Sequence, residues 1–122
     1  MDNSTTILIV DDSRVLRMMI CSLINKQYPE WEIIEAENSE DALSKCKRQP
    51  ELALIVLDYS LPGMDGITMA GHLRKKYHDT PVALLTANIQ PRIQQQAKEL
   101  GFQFIPKPIT PEKIATILKL VE

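Results

Sequence analysis

Short apolar runs and amphipathic segments alternate along the whole chain. The apolar runs are rich in β-branched residues and end at polar or turn-forming residues, as buried strands do; they cover residues 6–10, 31–36, 52–57, 82–85 and 102–106. Apolar residues at helical spacing fill the segments between them, from Ser13 to Pro29, Asn38 to Pro50, Gly66 to Tyr77, Gln90 to Leu100 and Thr110 to Val121. This alternation predicts a three-layer α/β domain with a parallel sheet and right-handed crossovers.

Two of the predicted strands carry the features of a sheet edge. Residues 31–36 alternate partly between polar and apolar side chains, which is typical of a strand that is exposed on one side. Residues 102–106 include Pro106, and proline is tolerated on edge strands because it has no N–H to donate. Both edges suit the doubly wound, flavodoxin-like (βα)5 fold with sheet order 2-1-3-4-5. We expect residues 1–122 to form one such domain.

The amino-acid composition excludes some classes of function and indicates a cellular location. The formal net charge is −2, so the chain offers no basic surface for nucleic acid. It has no stretch near the ~20 apolar residues of a membrane span and no N-terminal targeting pattern, and we expect a cytoplasmic protein. Cys21 and Cys46 lie far apart, and we expect both to be buried thiols in a reducing compartment. Four methionines are expected to fill gaps in the core: Met18, Met19, Met64 and Met69.

Charged and hydroxyl side chains follow four of the predicted strands. Asp11 and Asp12 follow the first strand, Asp58 the third, Thr86 the fourth and Lys107 the fifth. Because the carboxyl ends of parallel strands meet at one rim of the sheet, we expect these groups to converge there. Asp58 by itself could merely open the Pro-Gly turn that follows it. Agreement among all the positions favours a functional site.

The negative charge of three converging carboxylates has to be balanced. At ~4 Å, two unit charges of like sign repel by roughly 4 kcal/mol at an effective dielectric constant of 20. Either one carboxyl holds a proton or a cation lies among them. A small all-oxygen ligand set suits Mg²⁺, and Mn²⁺ would also fit. A carboxylate beside such an ion and an ammonium can act as a nucleophile toward phosphorus.

At these positions the chain resembles the receiver domains of two-component response regulators, in particular the stand-alone chemotaxis regulators. The resemblance covers essentially the whole chain. It rests on Asp11-Asp12, on Asp58 with its Leu-Pro-Gly-Met-Asp-Gly turn, on Thr86-Ala87 and on Lys107-Pro108, in that order. It implies a phosphorylation switch rather than an enzyme, in which Asp58 accepts a phosphoryl group from a histidine kinase or a phosphotransfer protein.

The resemblance also implies supporting roles at the site. Asp12 and Asp58 would bind Mg²⁺ together with the backbone carbonyl of Ser60, and Asp11 would act through a bound water. Lys107 would pair with Asp58 and then with the phosphoryl oxygens. Its peptide bond to Pro108 is expected to be cis.

Further residues are implied to transmit and time the signal. Thr86 would donate its hydroxyl to the phosphoryl group and draw its loop inward. Phe104 would turn inward with it, although an apolar residue on an edge strand requires no such role. Ser60 and Asn88 would tune the lifetime of the phosphorylated state.

The signal is expected to leave through the face of the fourth helix, fifth strand and fifth helix, which includes Ile93, Gln94, Phe104 and Lys113. An effector would bind there, and the chain would be a monomer or a weak homodimer through the same face, with no nucleic-acid or membrane partner. A phosphorelay intermediate and a receiver module of a hybrid histidine kinase are alternatives. A phosphatase with an Asp nucleophile usually needs a second carboxylate at position 60, where this chain has Ser. A flavin carrier would need a glycine-rich phosphate loop where Asp11 and Asp12 stand.

Overall fold

A parallel sheet of five strands forms the centre of the fold. A computed structural model describes residues 5–121. The strands are β1 (Thr6–Val10), β2 (Glu32–Ala36), β3 (Leu54–Asp58), β4 (Val82–Thr86) and β5 (Gln103–Pro106). They pair in the order β2-β1-β3-β4-β5, which confirms the predicted order and both predicted edge strands.

Five helices connect the strands: α1 (Arg14–Gln27), α2 (Ser39–Lys45), α3 (Gly66–Arg74), α4 (Pro91–Glu99) and α5 (Pro111–Leu118). A 3-10 turn over Lys119–Val121 replaces the predicted last turn of α5. Side-chain oxygens of four residues cap helix N-termini by accepting a backbone N–H three residues further on: Ser13, Asn38, Asp65 and Thr110. None of the helices between residues 5 and 121 is long and apolar enough to span a membrane.

Several predicted boundaries differ from the structure by two or more residues. Helix α2 ends at Lys45, five residues before Pro50, which was expected to close it. Strand β3 begins at Leu54 rather than Leu52, because the Leu52 carbonyl accepts a hydrogen bond from the Thr80 hydroxyl at 2.8 Å. Helix α3 ends at Arg74, and Tyr77 closes a further turn through its backbone N–H to the Leu73 carbonyl at 2.8 Å.

Alternate residues of each central strand face opposite helical layers. In β1, Ile7 and Ile9 pack with the layer of α1 and α5, whereas Leu8 and Val10 pack with the layer of α2, α3 and α4. The side-chain period of two therefore divides the core into two apolar halves, one on each face of the sheet. The rim formed by the carboxyl ends of the strands is left for polar groups.

The outer face of α1 corrects several of the predictions. Met18, predicted to fill the core, is 58% exposed, and Cys21, predicted to be buried, is only half-buried. Val15, which fits the apolar helical pattern of α1, is 77% exposed. Met18 lies two residues before the buried Ile20, which turns it roughly 200° away at about 100° per residue. The other three methionines are buried or pack against a core cluster, as predicted, and so is Cys46.

Candidate functional site

Three carboxylates meet at the carboxyl rim of the sheet. Strands β1 and β3 are neighbours, with Val10 opposite Leu57, and this pairing brings the residues that follow them together. Asp11, Asp12 and Asp58 each place a carboxylate oxygen within 4.8 Å of the others. Asp11 and Asp58 are buried and Asp12 is exposed, so the cluster is open to solvent on one side.

Lys107 bridges the two buried carboxylates. Its Nζ lies 3.3 Å from Asp11 Oδ2 and 3.3 Å from Asp58 Oδ1. The backbone N–H of Lys107 donates to the Thr86 carbonyl at 2.8 Å, which fixes the loop after β5 against the end of β4. Burial works against the charged ammonium, but Asp58 and Asp11 outweigh it and raise the pKa of Lys107 above its usual value. Its peptide bond to Pro108 is cis, as predicted.

The surroundings of Asp58 disfavour its ionised form. Burial is the larger cause and the Asp11 carboxylate the second, and together they raise the pKa of Asp58. Lys107 and the backbone N–H of Ser60 act in the opposite direction without cancelling them. A further cation would offset this charge. The donor set fits a small hard cation such as Mg²⁺, since it consists of carboxylate oxygens with one open side for water or phosphate.

Asp11 is held on every side. Its backbone N–H donates to the Ala36 carbonyl at 3.0 Å, and its Oδ1 accepts from the Ser13 N–H at 2.8 Å. Its backbone carbonyl accepts from Nη1 of Arg17. The Nε of Arg17 also forms an ion pair with Glu35 Oε1 at 3.1 Å. No sequence pattern identifies Arg17, because its role depends on where β2 places Glu35.

Gly66 lies against the backbone of Asp58. A Cβ at position 66 would stand 2.4 Å from the Asp58 carbonyl oxygen and 2.8 Å from the Tyr59 Cα, closer than real contacts allow. The Gly66 N–H donates to the Tyr59 carbonyl at 2.7 Å. Sequence analysis identified Gly66 only as a helix start; the structure shows that α3 approaches the site so closely that no side chain fits there.

The four remaining predicted site residues are Thr86, Asn88, Phe104 and Ser60. The buried Thr86 hydroxyl accepts the Asn88 N–H at 2.8 Å and faces the Asn88 carbonyl at 3.3 Å. Phe104 is half-buried against the core layer of α2, α3 and α4. Ser60 is exposed directly after Tyr59. Thr86, Asn88 and Ser60 thus lie at or just after the carboxyl ends of β3 and β4, whereas Phe104 lies within β5; the roles of all four stay predictions.

A second lysine supports the loop of Lys107. Lys113 of α5 donates from Nζ to the Pro106 carbonyl at 2.6 Å and to the Pro108 carbonyl at 2.9 Å. These two carbonyls flank Lys107. Lys113 was predicted as part of an exposed partner face, but its ammonium is engaged by the chain's own backbone.

Sheet order and rim chemistry together define a CheY-like, flavodoxin-type α/β protein. The sequence-family model of the response regulator receiver domain matches residues 7–119, and the chain belongs to that family.

Solved structures support the same assignment. The chemotaxis protein CheY4 of Vibrio cholerae is 27% identical, with a TM-score of 0.84 and coverage of 98% of this chain and 99% of that one. CheY in a CheX–CheY–BeF3–Mg complex from Borrelia burgdorferi is 26% identical, with a TM-score of 0.84 and coverage of 96% and 88%.

Curated relatives match through part of their length. The phosphate regulon regulator PhoB of Pseudomonas aeruginosa is 37% identical over 120 residues, which are 95% of this chain and 51% of PhoB. The cyclic di-GMP phosphodiesterase response regulator RpfG of Xanthomonas campestris is 36% identical over 116 residues, or 93% of this chain and 30% of RpfG. The chain thus spans about half the length of PhoB and less than a third of RpfG.

Proposed function

We propose that the chain is a phosphorylation switch in which the Asp58 carboxylate accepts a phosphoryl group from the phosphohistidine of a histidine kinase or phosphotransfer protein. The observation that carries this proposal is the buried Asp58, 3.3 Å from the Lys107 ammonium and beside two further carboxylates. In the transfer, an Asp58 oxygen forms a bond to phosphorus as the P–N bond breaks, and the released imidazole takes a proton from solvent. The product is an acyl phosphate.

Asp12 and Asp58, with the backbone carbonyl of Ser60, would hold the divalent ion, and Asp11 would act through water. Mg²⁺ bound there supplies positive charge to the transferring phosphoryl group, and Mn²⁺ is a possible substitute. The related CheY was solved together with BeF3 and Mg. Lys107 already lies on the side of Asp58 where it can move from carboxylate to phosphoryl oxygens.

Transmission of the signal is proposed to begin at Thr86. Its hydroxyl would leave the Asn88 backbone and donate to the phosphoryl group, and Phe104 would fill space behind the moving loop. The switch would thus be between two ordered conformations, and the charge of the phosphoryl group would favour the second. The surface of α4, β5 and α5 would then bind an effector, and Ser60 and Asn88 would set how fast water reaches the acyl phosphate.

The proposed role makes residues 1–122 one receiver domain that acts in the cytoplasm and catalyses only its own phosphorylation and dephosphorylation. PhoB and RpfG carry further sequence beyond the part matched here, whereas CheY4 is covered almost completely. The receiver chemistry proposed here is the same in both arrangements. It also serves a phosphorelay intermediate, in which Asp58 passes the group to another histidine.

Acetyl phosphate with Mg²⁺ provides a direct test by intact-protein mass spectrometry. The protein should gain one phosphoryl group, and Asp58→Asn should gain none. Asp79→Asn is the matched control, because Asp79 is an exposed carboxylate near the opposite end of the sheet. Persistent labelling of Asp58→Asn would refute the assignment of the acceptor, and an unlabelled wild-type protein would refute the function. Catalytic turnover of p-nitrophenyl phosphate would point to a phosphatase instead.

A further inference from the structure

We infer that Arg17 is a positioning residue of the metal centre, which holds the Asp11–Asp12 segment in the orientation that allows Asp12 to meet Asp58. This inference rests on the proposed function, because it concerns the binding of Mg²⁺ at the same carboxylates.

Arg17 is built into the site although it touches none of its carboxylates. The side chain is only 12% exposed, although its contact with Glu35 lies at the surface. Nη1 donates to the Asp11 backbone carbonyl, and Nε pairs with Glu35 Oε1 at 3.1 Å. A planar guanidinium makes its two contacts from separate nitrogens held in a rigid fork, whereas an ammonium has to make them from one nitrogen. Arg17 therefore ties the loop between β1 and α1 to strand β2.

The contact with the Asp11 carbonyl determines how Asp12 is presented. That carbonyl belongs to the planar peptide unit that also contains the Asp12 N and Cα, so its direction determines where those two atoms lie. The other restraints on this loop act on Asp11, at its N–H and its two carboxylate oxygens, and on Ser13, whose N–H donates to Asp11 Oδ1 and whose hydroxyl caps α1; none of them holds the Asp11–Asp12 peptide unit directly. Asp12 has an exposed side chain and depends on the backbone for its position. Arg17 thus acts on the metal centre through the peptide bond.

Charge alone predicts the opposite effect. A cation near three carboxylates competes with a divalent ion, so removing it should strengthen Mg²⁺ binding. Arg14 makes this distinction testable, because it is exposed, belongs to the same helix and lines the same surface groove as Arg17. Removing Arg14 changes the charge, whereas removing Arg17 changes the charge and releases the Asp11 carbonyl.

The test measures Mg²⁺ binding by calorimetry, without a phosphodonor, in Arg17→Met, Arg17→Lys and Arg14→Met. Groups that orient metal ligands typically contribute about 10–100-fold to metal affinity. We expect Arg17→Met to raise the Mg²⁺ dissociation constant at least about tenfold. Arg17→Lys keeps the charge but not both contacts, so it should also weaken binding. Arg14→Met should leave the affinity unchanged or tighten it.

Urea unfolding without Mg²⁺, followed by Trp31 fluorescence, separates positioning from folding. Trp31 stacks on Tyr28 at 3.8 Å between ring centroids, before the amino end of β2 and away from the site. A purely structural Arg17 would lower the free energy of unfolding and leave the Mg²⁺ affinity of the folded protein unchanged. That result, or tighter Mg²⁺ binding by Arg17→Met, would overturn the inference.

Two further measurements distinguish a loss of Mg²⁺ binding from a loss of folding and from damage to Asp58. If Arg17→Met does not fold, Arg17→Lys decides by the same criterion. Phosphorylation by acetyl phosphate should recover its wild-type rate in Arg17→Met at saturating Mg²⁺, because the variant alters occupancy of the site and not Asp58 itself. A wild-type protein that binds no Mg²⁺ would refute the proposed function, whereas normal wild-type binding with unaltered variants would refute only the role of Arg17.

Discussion

Lys107 Nζ lies 3.3 Å from Asp58 Oδ1, and the same atom lies 3.3 Å from Asp11 Oδ2. One ammonium therefore serves two buried carboxylates, and the exposed Asp12 adds a third negative group. If all three carboxylates are ionised, three negative charges and one positive charge leave the cluster at −2. Several consequences of this imbalance can be measured.

Removing the ammonium should destabilise the metal-free protein. Breaking a buried ion pair by removing one partner costs about 3–5 kcal/mol. Because the Lys107 side chain is 25% exposed, we expect about 1–3 kcal/mol for Lys107→Met at neutral pH. Urea unfolding measures the loss, and Mg²⁺ should recover part of it. Lys119→Met, on the exposed final turn, is the control, and an equal loss in both variants would contradict the prediction.

Neutralising Asp58 should stabilise the metal-free protein. The pKa of Asp58 is raised above its ordinary value of 3.8, mainly by burial and then by Asp11, so the folded protein holds this proton more tightly than the unfolded chain. Stability is therefore lost as pH rises from the ordinary value through the folded pKa. Asp58→Asn should raise the free energy of unfolding at pH 7 by about 0.5–2 kcal/mol, the scale of other stabilising changes. The gain should vanish near pH 3; a gain independent of pH would rule out this cause.

Gly66 should tolerate no side chain. Gly66→Ala must displace α3 or the Asp58 backbone, because its Cβ would meet the Asp58 carbonyl oxygen at 2.4 Å. We expect a loss of about 1–3 kcal/mol in stability and slower phosphorylation by acetyl phosphate. Gly71→Ala is a matched control in the same helix, with nothing within 4 Å of its Cβ. It should be neutral or stabilising by up to about 1 kcal/mol. Similar losses in both variants would show that helix α3, not its approach to Asp58, is the cause.

Thr86 should transmit the signal without being needed for transfer. Thr86→Val removes the acceptor of the Asn88 N–H, now at 2.8 Å, and should cost about 1 kcal/mol. Acetyl phosphate should still label Asp58, but the NMR shift of the Phe104 ring on phosphorylation should shrink. Thr86→Ser keeps the hydroxyl and should keep the shift. An undiminished Phe104 response in Thr86→Val would remove Thr86 from the switch.

The other end of the sheet offers an independent alkaline titration. Burial, and then Cys46, raise the pKa of Tyr77 to about 12, and its hydroxyl donates to the Gln49 carbonyl at 2.6 Å. The unfolded chain releases this proton near pH 10, so stability should fall as pH rises from about 10 to 12. Tyr77→Phe should lose about 1 kcal/mol at pH 7 and abolish this part of the fall. The difference in ultraviolet absorbance between the wild-type protein and Tyr77→Phe should show the Tyr77 ionisation near pH 12; ionisation of Tyr77 near pH 10 would contradict the assignment.

The layout of the fold was predictable because its signals are local. Each buried strand is a continuous apolar run, and Pro106 marks the edge on its own. The convergence of Asp11, Asp58 and Lys107 followed from topology, since parallel strands end at one rim.

Features that depend on tertiary packing were not predictable. Val15 fits the helical pattern of α1 yet faces solvent, because a pattern does not say how wide the covered stripe is. Gly66 and Arg17 gain their importance from the approach of α3 to Asp58 and of β2 to α1. Lys113 looked like a surface charge, and only the path of the loop after β5 shows that its ammonium binds backbone.

The structure on the two sides of Asp58 differs in how easily it can rearrange. On the α3 side, Gly66 packs directly against the backbone of Asp58 and Tyr59, so there is no space for this side to move inward. On the α5 flank, the contacts pass through the ammonium groups of Lys107 and Lys113, which can exchange one oxygen partner for another. Extra negative charge on Asp58 would therefore leave the α3 side in place and change the lysine contacts on the α5 side. On these two sides, the conformational response would be confined to the loop between β5 and α5.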